Sequence, residues 1–194
     1  MRLYLVRHPK PSSTGALCYG RIDVAVDSTA FAAALAEVRR RIPAAILRAA
    51  PIYTSPLSRC AHFASALAQP RAAIVADELV EIDFGRWEGK PWDDIPRDEL
   101  DAWAEDLWGY RAGGGESAEM LATRWQRWRD RVSPSHPDAV IAVTHAGVIR
   151  VALARAGRLA MSDLARSSIG FGSVHCIDHA DATLGSRSET RVGA

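Results

Sequence analysis

Two short apolar runs, residues 3–6 and 139–144, each lead into a histidine: Val6-Arg7 precedes His8, and Thr144 precedes His145. Runs this short and unbroken read as strands buried on both faces, the kind found in a parallel sheet covered by helices on each side. In open α/β sheets the carboxyl ends of such strands border the ligand crevice. Two histidines placed there, 137 residues apart in the chain, predict one shared site.

The segments between these runs alternate in period. Phe31, Leu35, Val38 and Ile42 recur at helical spacing, with Ser28 as the expected N-cap and Pro43 marking the end. A short strand is expected near residues 51–54, followed by a helix from about Pro56. Its apolar face is Cys60, Phe63, Ala64 and Leu67, and its first turn holds Arg59. Residues 73–76 read as a strand, and residues 81–89, acidic, aromatic and glycine-bearing, read as a loop. Trp87, Trp92, Trp103 and Trp108 lie in a polar stretch that also holds Pro91 and Pro96, which reads as a lid-like insertion over about residues 86–115. Within it Leu100, Trp103 and Leu107 share a helical face. Beyond Gly113-Gly114-Gly115, Leu121, Trp125, Trp128 and Val132 align on a second amphipathic helix. Gly147 opens another, and residues 171–177 form the expected last strand. The predicted fold class is α/β: three layers, α/β/α, with a mainly parallel sheet and helices on both faces. At 194 residues and 48% apolar composition, one domain over residues 1–180 is expected, with residues 181–194 as a small, polar, mobile tail.

Lys and Arg number 24 against 23 Asp and Glu, so the formal net charge is +1. This balance offers no electrostatic reason to expect a nucleic-acid or membrane partner. Cys18, Cys60 and Cys176 are odd in number and far apart, which supports neither a disulfide framework nor a zinc site and points to a reducing compartment. The first apolar run is too short for a signal-peptide core, and no stretch approaches about 18 uninterrupted apolar residues. The expectation is a soluble, cytoplasmic protein of open oligomeric state.

Arg7 directly after a buried strand is costly unless it meets an anion. Ser55-Pro56-Leu57-Ser58-Arg59 delivers a second arginine at a strand-to-helix junction, where unpaired N–H groups and the helix dipole also favour negative charge. Imidazole can serve as a nucleophile while guanidinium forks hold oxygens, so the set suits a small-molecule phosphate ester. The plainer alternatives are a structural histidine and a solvated Arg59. Signatures for a nucleoside triphosphatase, a dinucleotide enzyme or a serine hydrolase are absent.

Leu5-Val6-Arg7-His8, Ser55-Pro56-Leu57-Ser58-Arg59, the segment from Glu81 to Gly89, Gly114-Gly115-Glu116-Ser117 and Val143-Thr144-His145-Ala146-Gly147 occur in this order. Together they resemble the motifs of the histidine phosphatase superfamily, also called phosphoglycerate mutase-like, over about residues 2–178. Within it the chain looks most like the α-ribazole-5'-phosphate phosphatases of cobalamin biosynthesis, since Pro9-Lys10-Pro11 is followed by Cys18-Tyr19-Gly20-Arg21-Ile22-Asp23. The resemblance implies a phosphoglycerate mutase-like fold and a metal-independent phosphomonoesterase without cofactor. His8 would become phosphohistidine, Arg7, Arg59 and His145 would hold the phosphoryl oxygens, and Glu81 would act as acid and base, with Asp83 as its competitor. Tyr19, Gly20 and Ala146 are the expected substrate-binding residues. Pro9, Lys10 and Pro11 depart from the family's glycine and hydroxyl residues, and Pro9 removes a backbone donor that Lys10 could replace. The tryptophans read either as a wall for an aromatic leaving group or as core. A phosphoglycerate mutase, a broad-specificity phosphatase and a catalytically impaired phospho-ligand binding module are the alternatives. His62, His136, His175 and His179 read as structural or surface residues.

Overall fold

The computed structural model describes residues 1–12, 17–136, 138–164 and 166–178. The expected tail over 181–194 and His179 lie outside the described residues. A five-stranded sheet runs in the order β3-β2-β4-β1-β5, with β1 at Arg2–Arg7, β2 at Ile52–Thr54, β3 at Ile74–Val75, β4 at Ala139–Thr144 and β5 at Val174–Asp178. Every neighbouring pair is parallel except β1 with β5. The register sets Arg7 beside Thr144, so β1 and β4 release His8 and His145 next to each other.

Successive side chains of a strand point to opposite faces, and the core divides accordingly. Leu3, Leu5, Val140 and Ala142 meet α5 (Ala118–Val132) and α6 (Ala146–Arg155), whose contributions include Leu121, Trp125, Trp128 and Ile149. Tyr4, Val6, Ile141 and Val143 meet α1 (Ser28–Arg41) and α3 (Ser58–Ala68), with α2 (Ala44–Ala49) packed at their margin. The apolar runs are continuous because both faces are covered, and the three-layer expectation holds.

Local boundaries depart from expectation where side-chain pattern does not set them. Asp27, not Ser28, caps α1: its carboxylate accepts from the Ala30 amide at 2.7 Å, and Ser28 is already helical. Leu107 falls outside α4 (Arg97–Glu105), which stops when Asp106 leaves helical geometry. The last strand starts at Val174, because residues 171–172 turn, with Gly172 at φ +70°. A third, small core has Trp87 fully buried beside Cys18, Ile95 and Ala112, with Phe84, Trp92 and Trp103 packed against it.

Candidate active site

His8 and His145 lie at the carboxyl edge of the sheet with ring centroids 5.1 Å apart, edge to face, and both are buried. The His8 amide donates to the Thr144 carbonyl at 3.0 Å, which ties the two strand ends together. His8 Nδ1 stands 2.7 Å from the Pro9 carbonyl oxygen, so Nδ1 is the protonated nitrogen and Nε2 keeps its lone pair. Burial, with the charges of Arg59 and Arg7, pushes the His8 pKa down to about 3, and the ring is neutral at ordinary pH. Pro9 thus supplies the contact that sets the tautomer, because this contact needs a carbonyl and not an N–H. His145 Nε2 lies 2.8 Å from Ser55 Oγ and 3.4 Å from Cys60 Sγ. Its pKa is held well below the usual histidine range by burial first, then by His8 and the surrounding arginines.

The guanidinium groups are held by their tips. Arg59 is 1% exposed in the first turn of α3, and donates from Nη1 to the Ile22 carbonyl at 2.8 Å and from Nη2 to the Gly20 carbonyl at 2.6 Å. Arg7 donates from Nη1 to the Ile169 carbonyl and lies 3.7 Å from the centre of the Phe171 ring. In both residues the Nε–H is buried and has no protein acceptor among the described residues. Burial also lowers the Arg7 pKa from its ordinary value. Gly20 is there for close approach: a Cβ would sit 2.1 Å from the Ile82 carbonyl oxygen. Tyr19 lies with its ring 5.6 Å from the Arg59 guanidinium. Phe171, which sequence reasoning missed, also contacts the His8 ring at 5.5 Å between centroids. Its one signal was an aromatic residue between Gly170 and Gly172 just before the last strand.

Glu81 reaches the start of α6, where its Oε2 accepts from the Gly147 amide at 3.1 Å while Oε1 accepts from the Ile82 amide at 2.9 Å. Gly147 makes this approach possible, since a Cβ there would lie 2.3 Å from Glu81 Oε1. Ala146, buried, begins the same helix directly after His145. Asp83 is turned into its own bend, accepting from the Gly85 amide at 2.7 Å, and it faces Arg21 at 3.7 Å. Of the two carboxylates, Glu81 is therefore the one at the helix that carries His145.

A family model for the histidine phosphatase superfamily (branch 1) matches residues 3–187. The chain belongs to that superfamily. It is 33% identical over 110 residues to the bifunctional protein Rv2228c of Mycobacterium tuberculosis, a match covering 54% of this chain and 30% of that protein. The match thus spans about a third of the curated relative's length. Among solved structures it resembles TTHB049 of Thermus thermophilus, at 25% identity and TM-score 0.72, over 92% of this chain and 94% of that one. It shares its fold with the α-ribazole phosphatase of Shigella flexneri at 22% identity and TM-score 0.74, covering 92% and 90% of the two chains.

Next to Glu81 the histidine phosphatase has a cavity of about 380 Å³, whose walls include Phe84, Trp92, Trp103, Gly147 and Arg150. Trp92 and Trp103 stack nearly parallel, 9° apart, with Phe84 edge-on to both. The expected wall of four tryptophans is reduced to these two. Trp87 is core, its Nε1 donating to Glu99 at 2.6 Å, and Trp108 lies under the Arg155 guanidinium, 5.0 Å away. Arg150 donates from Nε to the Ser167 carbonyl at 2.9 Å.

Proposed function

We propose that this protein hydrolyses a small-molecule phosphate ester through phosphohistidine at His8, with α-ribazole 5'-phosphate as the substrate and α-ribazole as the product. The observation that carries the phosphatase chemistry is the pair of buried, acceptor-less Nε–H groups of Arg7 and Arg59 around a neutral histidine with its Nε2 free. Trp125, Trp128 and Arg129 also bury donors without a partner among the described residues, but Arg7 and Arg59 are the cations that act on the His8 ring, where an oxyanion would satisfy them. His8 Nε2 attacks phosphorus in line and the bond to the ester oxygen breaks, while Arg7, Arg59 and His145 hold the non-bridging oxygens. Glu81 gives a proton to the leaving oxygen, then takes one from the water that attacks the phosphohistidine, releasing phosphate and neutral His8. Charge stabilisation comes from the arginines, so neither a metal nor a cofactor is called for.

The ester assignment rests on the cavity beside Glu81, where a flat base can lie against Phe84, Trp92 and Trp103. A phosphoglycerate, as a mutase would require, would meet Arg150 and otherwise largely apolar walls. Tyr19, Gly20 and Ala146 border the phosphoryl end in this reading. His8→Ala is expected to abolish turnover while remaining folded, and mass spectrometry after an acid-free quench to find phosphate on His8 of the parent protein. A fully active His8→Ala variant, or activity restored to chelator-treated protein only by a divalent ion, would sink the mechanism. Remote binding of the base is expected to raise kcat/KM for α-ribazole phosphate about ten- to a hundredfold above ribose 5-phosphate. Equal or higher efficiency on ribose 5-phosphate or 3-phosphoglycerate would remove the α-ribazole assignment and leave the phosphatase one.

A further inference from the structure

In the Gly114-Gly115-Glu116-Ser117 motif, Gly115 and Glu116 are committed to the segment that carries Glu81. Gly115 passes so close to that segment that a Cβ would lie 2.1 Å from the Asp83 carbonyl oxygen. Glu116 clasps it in both directions: its amide donates to the Asp83 carbonyl at 2.8 Å, and its Oε2 accepts from the Asp83 amide at 3.2 Å. Ser117 caps α5, accepting from the Met120 amide at 3.2 Å, and so starts the helix that bears Arg124.

Arg124 closes the arrangement. Its Nε and Nη2 bind the two Glu116 carboxylate oxygens at 2.8 and 2.9 Å, Nη1 donates to the Glu78 carbonyl at 2.6 Å and Nη2 to the Glu81 carbonyl at 3.0 Å. Both side chains are largely buried, 14% and 12% exposed. A planar fork with four of its five N–H donors engaged fixes geometry in a way that an ammonium group does not. The segment from Glu78 to Asp83 has little regular structure to fix it: Glu81 follows the short turn Asp77–Leu79 and precedes the turn Gly85–Trp87. Its carboxylate must nevertheless reach the amide of Gly147 on another element. Proton transfer needs the acid within hydrogen-bond reach of the leaving oxygen, and a displacement of about 1 Å is costly.

We infer that Arg124 and Glu116 are positioning residues for the proton-transfer step, holding the backbone of Glu81 so that its carboxylate stands at the leaving oxygen. This rests on the reading of Glu81 as the acid, and the test separates the two. Rates are measured on ribose 5-phosphate, whose alkoxide leaves only with a proton, and on p-nitrophenyl phosphate, whose phenolate leaves without one. Glu81→Gln is expected to slow ribose 5-phosphate at least about a hundredfold more than p-nitrophenyl phosphate. Arg124→Met is expected to show the same selectivity at about ten- to a hundredfold, and the double variant to be no slower than Glu81→Gln, since residues acting through one group are not additive. Glu116→Gln, which keeps the shape and the Asp83 contacts, is the second variant if Arg124→Met does not fold, with the same selectivity at a smaller size. If Arg124→Met slows both esters equally, or costs as much in the Glu81→Gln background as in the parent, the pair serves the fold alone and the inference is overturned while the acid assignment stands. If Glu81→Gln is itself unselective, the acid assignment falls and takes the inference with it.

Discussion

Neutrality of His8 is set by burial and by two cations, so its protonation couples catalysis to stability in a defined direction. The unfolded ring takes a proton near pH 6.5, whereas the folded ring resists until about pH 3. Between these values the unfolded state binds more protons, so stability rises with pH, is fully present above about 6.5, and is lost progressively as pH falls towards 3. Urea denaturation at a series of pH values is expected to show this slope, to which buried His145 also contributes, and His8→Asn to reduce it; an unchanged slope would contradict the assignment. The nucleophile should also remain neutral at pH 5, so no acid limb of kcat/KM with a midpoint near 6.5 should trace to His8. Phe171, 38% exposed, covers the Arg7 guanidinium. A cation–π contact at such a site is worth about 0.5–1 kcal/mol, and Phe171→Leu is expected to lower kcat/KM about two- to fivefold. The meeting of His8 and His145 was legible because both follow buried strands, and Arg59 because it opens a helix, whereas Glu81, in a loop between two turns, was pointed to only by the resemblance. The contacts of Phe171 with Arg7 and of Ser55 and Cys60 with His145 were not legible, since nothing local in the sequence brings those segments together.

Where apolar patterning is strong, β4 was legible to the residue and α5 by its buried face, while the cap of α1 lay one residue before the expected Ser28. β4 occupies the run 139–144, and α5 buries the Leu121, Trp125, Trp128 and Val132 face. The short strands β2 and β3 and the turns between Gly85 and Gly114 were less so, because their limits are set by tertiary partners and not by side-chain pattern. Strand order was not legible for the same reason: β1 chooses β4 across more than a hundred residues of chain. Trp87 centres a core separate from the two that flank the sheet. Trp87→Ala is expected to cost about 3–5 kcal/mol in urea unfolding. A loss below about 1 kcal/mol would mean that this core does not help to stabilise the molecule.

Across the full chain, the site is drawn from segments that meet only in the finished fold. Excess inorganic phosphate, the product of the proposed reaction, is expected to raise the thermal midpoint, by about 2.7 kcal/mol of stability at a hundred times its Kd. Calorimetry with and without phosphate tests this, and an unmoved midpoint at saturating product would argue against an oxyanion between Arg7 and Arg59. The arginine anchors also bear on how activity emerges during folding. Arg7 is anchored by a carbonyl 162 residues away, and Arg59 by carbonyls 39 and 37 residues away. Contacts of such long separation close late, after local helices have formed. In refolding experiments far-UV dichroism should therefore recover before turnover does, because a partly folded chain that already displays both histidines has no clamp to hold an ester against them.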